Sequence, residues 1–278
     1  GQIEEMTGKL YDSIYNKLLP LGDGVIVCPA HGAGSVCGSN ITERIWTTIG
    51  LERANNPALQ FSSRDAFIEN MAQPLEYPPY FRQMEKYNRI GPEIKCNLPN
   101  PAPLAPQRFM ELANEAQILD VRSEIAFGAA HIPGSLFIKN DIISNFAGWF
   151  LNYEDPILLV THEADITSTV KQLFRMGYDN ISGYLKGSMT AAAKAGIKTD
   201  EVGTLDAIQL KKANASGDYP YILDIRGAEE AQDSSIPSNL RVNLTELPDN
   251  LDNLPEEKHI HVFCGSGIRS MVAASILK

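Results

Sequence analysis

The chain has 278 residues, 44% apolar and 21% charged, with a formal net charge of -10. That length allows two or three domains with sizeable cores, and the interspersed acidic excess argues against a nucleic-acid partner or an anionic membrane surface. No apolar run is long enough to cross a bilayer, so no membrane association is expected, and four cysteines in so long a chain do not make a disulfide framework.

The opening GQIEEMTGKL is polar and acidic, unlike a signal peptide. A reducing, cytoplasmic setting is expected, in which a thiol can stay free and reactive. A helix is predicted at about 3–18. GVIVCP then reads as a strand that delivers His31 into a loop of small residues. A strand end suits a metal ligand, although one histidine there reads more readily as a polar loop residue. Cys28, His31 and Cys37 make only three ligands at an unfamiliar zinc spacing.

Residues 92–106, PEIKCNLPNPAPLAP, carry five prolines. Proline fixes φ and removes a donor, so neither helix nor central strand is expected, and a linker is placed there. Beyond it, QRFMELANE suggests a helix, ILDV a strand, SEIAFGA a helix and PILLVT a strand. STVKQLFRM (helix), NISGYL (strand) and KGSMTAAAKAG (helix) follow. The pattern then starts again with TLDAIQLKKANA, YILDI, a helix near 228–232, RVNL, HIHVF and SMVAASIL.

The similarity between these halves is specific. ILDVR at 118–122 returns as ILDIR at 222–226, and HIPGS at 131–135 as SIPSN at 235–239, both at an offset of 104. PILLVTHEADITS aligns with KHIHVFCGSGIRS at an offset of 102. Ordered matches at nearly one spacing indicate two copies of one domain. Short β-branched runs alternating with helices argue for parallel sheets flanked by helices. Such sheets place their sites at the carboxyl ends of the strands. The second copy has nothing to match GYDNISGYLKGSM, so a final strand and helix are expected to be missing from it.

Cys264 falls at such a strand end, in CGSGIR. Gly265 and Gly267 let the backbone turn tightly, with φ values that other residues avoid. Successive amides of residues 265–269 can then face one point, an anion-binding nest at a helix N-terminus. A thiolate or a persulfide anion fits such a nest, and Arg269 adds positive charge if it points inward. In the first copy His162 aligns with Cys264 and Thr167 with Arg269. That loop has no thiol and no glycines, but carries Glu163 and Asp165. Asp120–Arg122 and Asp224–Arg226 read as internal salt bridges at strand ends.

CGSGIR together with ILDIR resembles the rhodanese family of sulfurtransferases. The Cys-x4-Arg spacing is the rhodanese length, one residue shorter than the Cys-x5-Arg of cysteine phosphatases. The resemblance implies that Cys264 carries sulfur as a persulfide, with Arg269 as its catalytic partner. Gly265, Ser266, Gly267 and Ile268 would bind substrate. A small-molecule sulfane donor and a thiol acceptor would be the partners. The first copy resembles a catalytically silent rhodanese domain.

PAHGAGSVCG, TTIGLERANNPAL and EYPPYFRQMEKYNRIGP resemble the C-terminal part of a metallo-β-lactamase-fold domain. The branch is the one fused to rhodanese domains and related to persulfide dioxygenases and glyoxalase II. There the histidine matching His31 is a metal ligand. The family's His-x-His-x-Asp-His motif is absent, so an incomplete site and no cofactor are expected in this chain, with iron or alternatively zinc in an intact parent. The fold class expected is α/β. The boundaries are 1–91 for a partial metallo-β-lactamase-like segment, 92–106 for the linker, 107–197 for the silent rhodanese copy and 198–278 for the active one. The function implied is sulfur transfer through Cys264, in a parent that also oxidises persulfides. The alternative is a glyoxalase II-like zinc hydrolase whose rhodanese copies only bind. Metallo-β-lactamase relatives often pair, so the resemblance also allows a homodimer.

Overall fold

A computed structural model describes residues 1–31, 44–73, 78–93, 97–215, 221–233 and 237–278. Most of PAHGAGSVCG, with Cys37, lies outside the described residues, as do Cys96 and part of SIPSN. The chain forms two compact units, 1–77 and 78–278.

In the first unit α1 (Gln2–Ser13) continues through wider and tighter helical turns to Leu21. β1 (Ile26–Val27) pairs antiparallel with β2 (Thr47–Thr48). α2 (Ile49–Asn55) follows, its first turn capped by the Thr48 hydroxyl, which accepts the Leu51 N–H. α3 (Arg64–Met71) is capped in the same way by Ser63 and is the element that packs on α1.

The second unit begins with α4 (Tyr80–Ile90). Its residues fall within the N-terminal segment, which was expected to run to residue 91. The helix packs instead on the first copy. The Tyr80 ring lies against Gly148, and Tyr87 and Met84 lie against Gly177, where a β-carbon would collide with them. β3 (Ala102–Leu104), α5 (Pro106–Ala113), β4 (Gln117–Asp120), α6 (Glu124–Ala129), β5 (Leu136–Phe137) and α7 (Ile143–Phe150) come next. β6 (Ile157–Val160), α8 (Ile166–Arg175), β7 (Ile181–Leu185) and α9 (Ser188–Lys194) complete the first copy. Its sheet has the order β3-β7-β6-β4-β5, with every pairing parallel.

The sheet therefore reaches back into the proline-rich stretch, and the linker is shorter than 92–106. Pro103 is tolerated because β3 is an edge strand, where its missing N–H leaves no ladder partner unmatched. Central β6 reads ILLV and is buried throughout, as a strand covered on both faces must be. One face carries a core that includes Leu119, Leu159, Val170 and Leu173, and the other a core of Phe109, Ile132, Leu158 and Val160.

The second copy comprises α10 (Ala207–Ala215), β8 (Tyr221–Asp224), α11 (Ala228–Asp233), β9 (Leu240–Arg241), a tighter helical stretch over Leu244–Asn253, β10 (Ile260–Phe263) and α12 (Ile268–Leu277). Its described strands lie in the order β10-β8-β9, all parallel, which repeats β6-β4-β5. Its core is not its own. Phe127 and Phe137 of the first copy are buried with Leu223, Ile225, Cys264, Met271 and Val272 of the second. The expected α/β class, parallel sheets flanked by helices, is what the molecule shows. Among the described residues no helix is long and apolar enough to cross a membrane.

Candidate active site around Cys264

β10 ends at Phe263, whose carbonyl accepts the Ile225 N–H, and Cys264 is the next residue. α12 begins at Ile268, so three residues make the turn. The Gly267 N–H donates to Cys264 Sγ at 3.1 Å and the Ser270 N–H donates to it at 3.4 Å. Two amides thus converge on the sulfur, one from within the expected stretch 265–269 and one from just beyond it. Cys264 is a free thiol, 6% exposed, beneath the exposed residues Gly265, Ser266 and Gly267.

Burial raises the thiol pKa. The Ser270 hydroxyl and the amides of Ser266, Ser270 and Gly267 act against it, and they win: the pKa lies below the ordinary thiol value. Ser270 is the residue that the sequence reading passed over. It stands one position beyond the six-residue motif, and nothing in its own identity marks it.

The two glycines serve different needs. Gly267 has φ +88, the left-handed region, and caps α12. Gly265 does not have a positive φ, contrary to the expectation for both. It is small because a β-carbon there would sit 3.0 Å from Glu230 Oε1 and 3.5 Å from Arg269 Nη2. Ile268 begins the helix and packs against the shared core.

Arg269 is not a free positive charge at the sulfur. It makes a two-point ion pair with Glu230 of α11, Nη1 to Oε2 at 2.8 Å and Nη2 to Oε1 at 2.7 Å. The guanidinium holds the Glu230 carboxyl below the usual carboxylate range. Beside it, buried Arg226 donates from Nε and Nη2 to Asp224, and its guanidinium lies 4.8 Å from the Phe263 ring centre. The Asp120–Arg122 pair repeats this arrangement in the first copy, with Arg122 Nη2 also donating to the Ala130 carbonyl. Both pairs are internal salt bridges at strand ends, as read from the sequence.

The strands correct one alignment. Asp120 pairs with Val160 and Asp224 with Phe263, so the residue that follows β6, Thr161, stands where Cys264 stands. Thr161 is 2% exposed, like the cysteine, whereas His162 is exposed. The helix register still matches Thr167 to Arg269, each the second residue of its helix. The first-copy loop is therefore one residue longer, and it coils as a helical turn over Glu163–Asp165. A cavity of about 280 Å³ opens there, lined by Arg122, Thr161, His162, Glu163, Gly187 and Ser188.

In the first unit, His31 and Cys28 are exposed. Among the described residues no group of three or more His, Cys, Asp or Glu side chains could hold a metal ion.

Known proteins resemble this chain in sequence and fold. YtwF of Bacillus subtilis, whose name assigns it provisionally to the sulfurtransferases, is 27% identical over 71 residues, 26% of this chain and 69% of that protein. A metallo-β-lactamase from Staphylococcus aureus subsp. aureus COL superposes with a TM-score of 0.56 at 28% identity, over 66% of this chain. The chain spans about half the length of that structure, 51%. The superposed share is larger than residues 1–77 could supply alone, so the likeness extends into 78–278. The model of the rhodanese-like domain matches residues 105–195 and again 206–278, more than half of the chain. The repeat seen in the strands and the repeat seen in the family match are thus one and the same, and this chain belongs to the rhodanese-like family, whose domain it carries twice.

Proposed function

We propose that the chain is a sulfurtransferase that carries sulfane sulfur on Cys264. The observation that carries this reading is the pair of amides, Gly267 and Ser270, directed at a sulfur whose pKa is lowered in spite of burial. The thiolate attacks the outer sulfur of a donor, either thiosulfate or the persulfide of a small thiol. An S–S bond forms at Cys264, the donor's S–S bond breaks, and sulfite or the donor thiolate leaves. The Cys264 persulfide anion remains under the same amides. An acceptor thiolate then takes the outer sulfur and restores the Cys264 thiolate. Ser266 lies exposed on this loop, and a reducing compartment suits a thiol that must stay free.

Intact-mass measurement after exposure to thiosulfate tests the reading. Wild type gains about 32 Da, one sulfur atom, and Cys264→Ala gains nothing. Equal gain by both proteins, or equal turnover of thiosulfate with an acceptor thiol by wild type and Cys264→Ser, refutes it.

The likeness to the Staphylococcus aureus metallo-β-lactamase favours a second element. Residues 1–77, with His31, belong in this reading to a metallo-β-lactamase-type domain of a longer protein. Its metal centre, iron for persulfide oxidation or zinc for hydrolysis, lies beyond what this chain supplies. Metal analysis of the longer protein separates the two: iron favours persulfide oxidation, and zinc favours the glyoxalase II-like hydrolase with the rhodanese copies as binding modules.

A further inference from the structure

We propose that Glu230 is a positioning residue that sets the charge selectivity of sulfur loading. By holding Arg269 in a two-point ion pair against the cysteine loop, it makes the site favour singly charged sulfane donors over dianionic ones. The inference rests on the reading of Cys264 as a sulfur carrier and adds to it which donors the loop accepts.

Three observations carry it. The first is position. The Glu230–Arg269 pair lies directly on the loop, with Glu230 Oε1 at 3.0 Å and Arg269 Nη2 at 3.5 Å from where a β-carbon of Gly265 would be. A donor approaching Cys264 across the exposed residues 265–267 passes this pair. The second is stoichiometry of charge. Arg226 and Arg241 face Asp224, and both outer nitrogens of Arg269 face Glu230, so three guanidiniums stand against two carboxylates and one net positive charge is left beside the loop. One net positive charge together with the loop amides suits one negative charge on sulfur better than a dianion.

The third is an internal control. Glu230 is the third residue of α11, and the third residue of α6 in the first copy is Ala126. Arg269 is the second residue of α12, and the second residue of α8 is Thr167. The copy that lacks the cysteine lacks both members of the pair, yet it retains the Asp120–Arg122 bridge. The first copy folds without a Glu–Arg pair at this place, so the domain does not need it for its fold. What distinguishes the second copy is the sulfur. The Asp–Arg bridge belongs to the fold, and the Glu–Arg pair goes with the cysteine.

Side-chain exposures of 29% for Arg269 and 41% for Glu230 decide the size of the effect. A pair this exposed is screened, so its removal moves donor preference modestly.

The test compares thiosulfate, a dianion, with benzenethiosulfonate, a monoanion. Each passes its outer sulfur to the Cys264 thiolate, releasing sulfite or benzenesulfinate, and leaves the same persulfide. Glu230→Gln, in the full chain, keeps the shape and frees Arg269. The expected result is a KM for thiosulfate lowered about fivefold, with the KM for benzenethiosulfonate changed by less than about twofold and kcat retained for both. Glu230→Asp keeps the charge and is expected to keep the wild-type ratio of the two kcat/KM values. An unchanged ratio in Glu230→Gln overturns the inference. So does a parallel loss with both donors, which marks a structural role. Failure of wild type to take sulfur from either donor is a different result, visible without any variant, and it removes the sulfur-carrier reading itself.

Discussion

The Ser275 hydroxyl accepts the backbone N–H of Phe137 at 2.9 Å, although the two residues lie 138 positions apart. Phe137 is in β5, at the edge of the first copy's sheet, and Ser275 is in α12, the helix that starts at the cysteine loop. One helix thus forms part of the Cys264 loop at its first turn and closes the edge of the first copy's sheet near its end. The first copy is a platform for the second, because Phe127 and Phe137 sit in the core that also contains Cys264 and Met271. Replacing Ser275 with alanine leaves a buried N–H without its partner. The expected cost is about 1–3 kcal/mol, seen as a lower denaturant midpoint at unchanged slope.

The thiol should titrate early. The folded-state pKa of Cys264 is depressed, so its thiolate persists to lower pH than in the unfolded chain, and the stability linked to it is lost as pH falls through the folded value. Alkylation of Cys264 by iodoacetamide, followed by mass spectrometry against pH, should have its midpoint below the ordinary thiol value of about 8.5. Ser270→Ala removes the hydroxyl contribution and should move that midpoint upward. A wild-type midpoint at or above the ordinary value would count against the nest.

Gly267→Ala and Gly265→Ala should fail for different reasons. At Gly267, φ +88 makes alanine strained, with an expected cost of about 1–2 kcal/mol and slower sulfur loading as the 267 amide shifts. At Gly265 the added methyl meets only the ends of two long side chains, Glu230 and Arg269. Its stability cost should stay under about 1 kcal/mol, while the ratio of dianionic to monoanionic donor use changes. Chemical denaturation and donor kinetics on the same two variants separate these outcomes.

Thr161→Cys should not create a second sulfur carrier. The substitution puts a thiol at the place that matches Cys264. The loop after it is one residue longer, has no glycine, and presents Glu163 and Asp165. Intact mass after donor treatment should show one added sulfur, at Cys264, and not two. Two would mean that strand-end placement is enough by itself.

Much of this molecule was legible beforehand, and the failures have physical causes. ILDVR and ILDIR revealed the repeat because β4 and β8 must be apolar on both faces and end in the same Asp–Arg bridge. α7 went unread. Its ISNFAGWF is apolar enough to resemble a buried strand, and it becomes a helix with Ala147 and Gly148 buried, Gly148 against the Tyr80 ring. The match of His162 to Cys264 followed the helix register, whereas the strand register puts Thr161 there. One extra loop residue absorbs the difference, and only hydrogen-bonded pairing reveals it.

Local chemistry was enough to mark Cys264 and Gly267. A cysteine and a left-handed glycine between a strand and a helix state their business within six residues, through backbone geometry alone. Partners fixed by folding were not marked. Glu230 lies 39 residues before Arg269, and no run of neighbours shows that one will neutralise the other. Nor does any short segment show that Phe137 and Val272 will share a core. The sequence by itself determined that there are two copies and where the sulfur sits. The tertiary structure decided which charges remain free around that sulfur, because long-range pairing and burial depend on surfaces that exist only once the chain has folded.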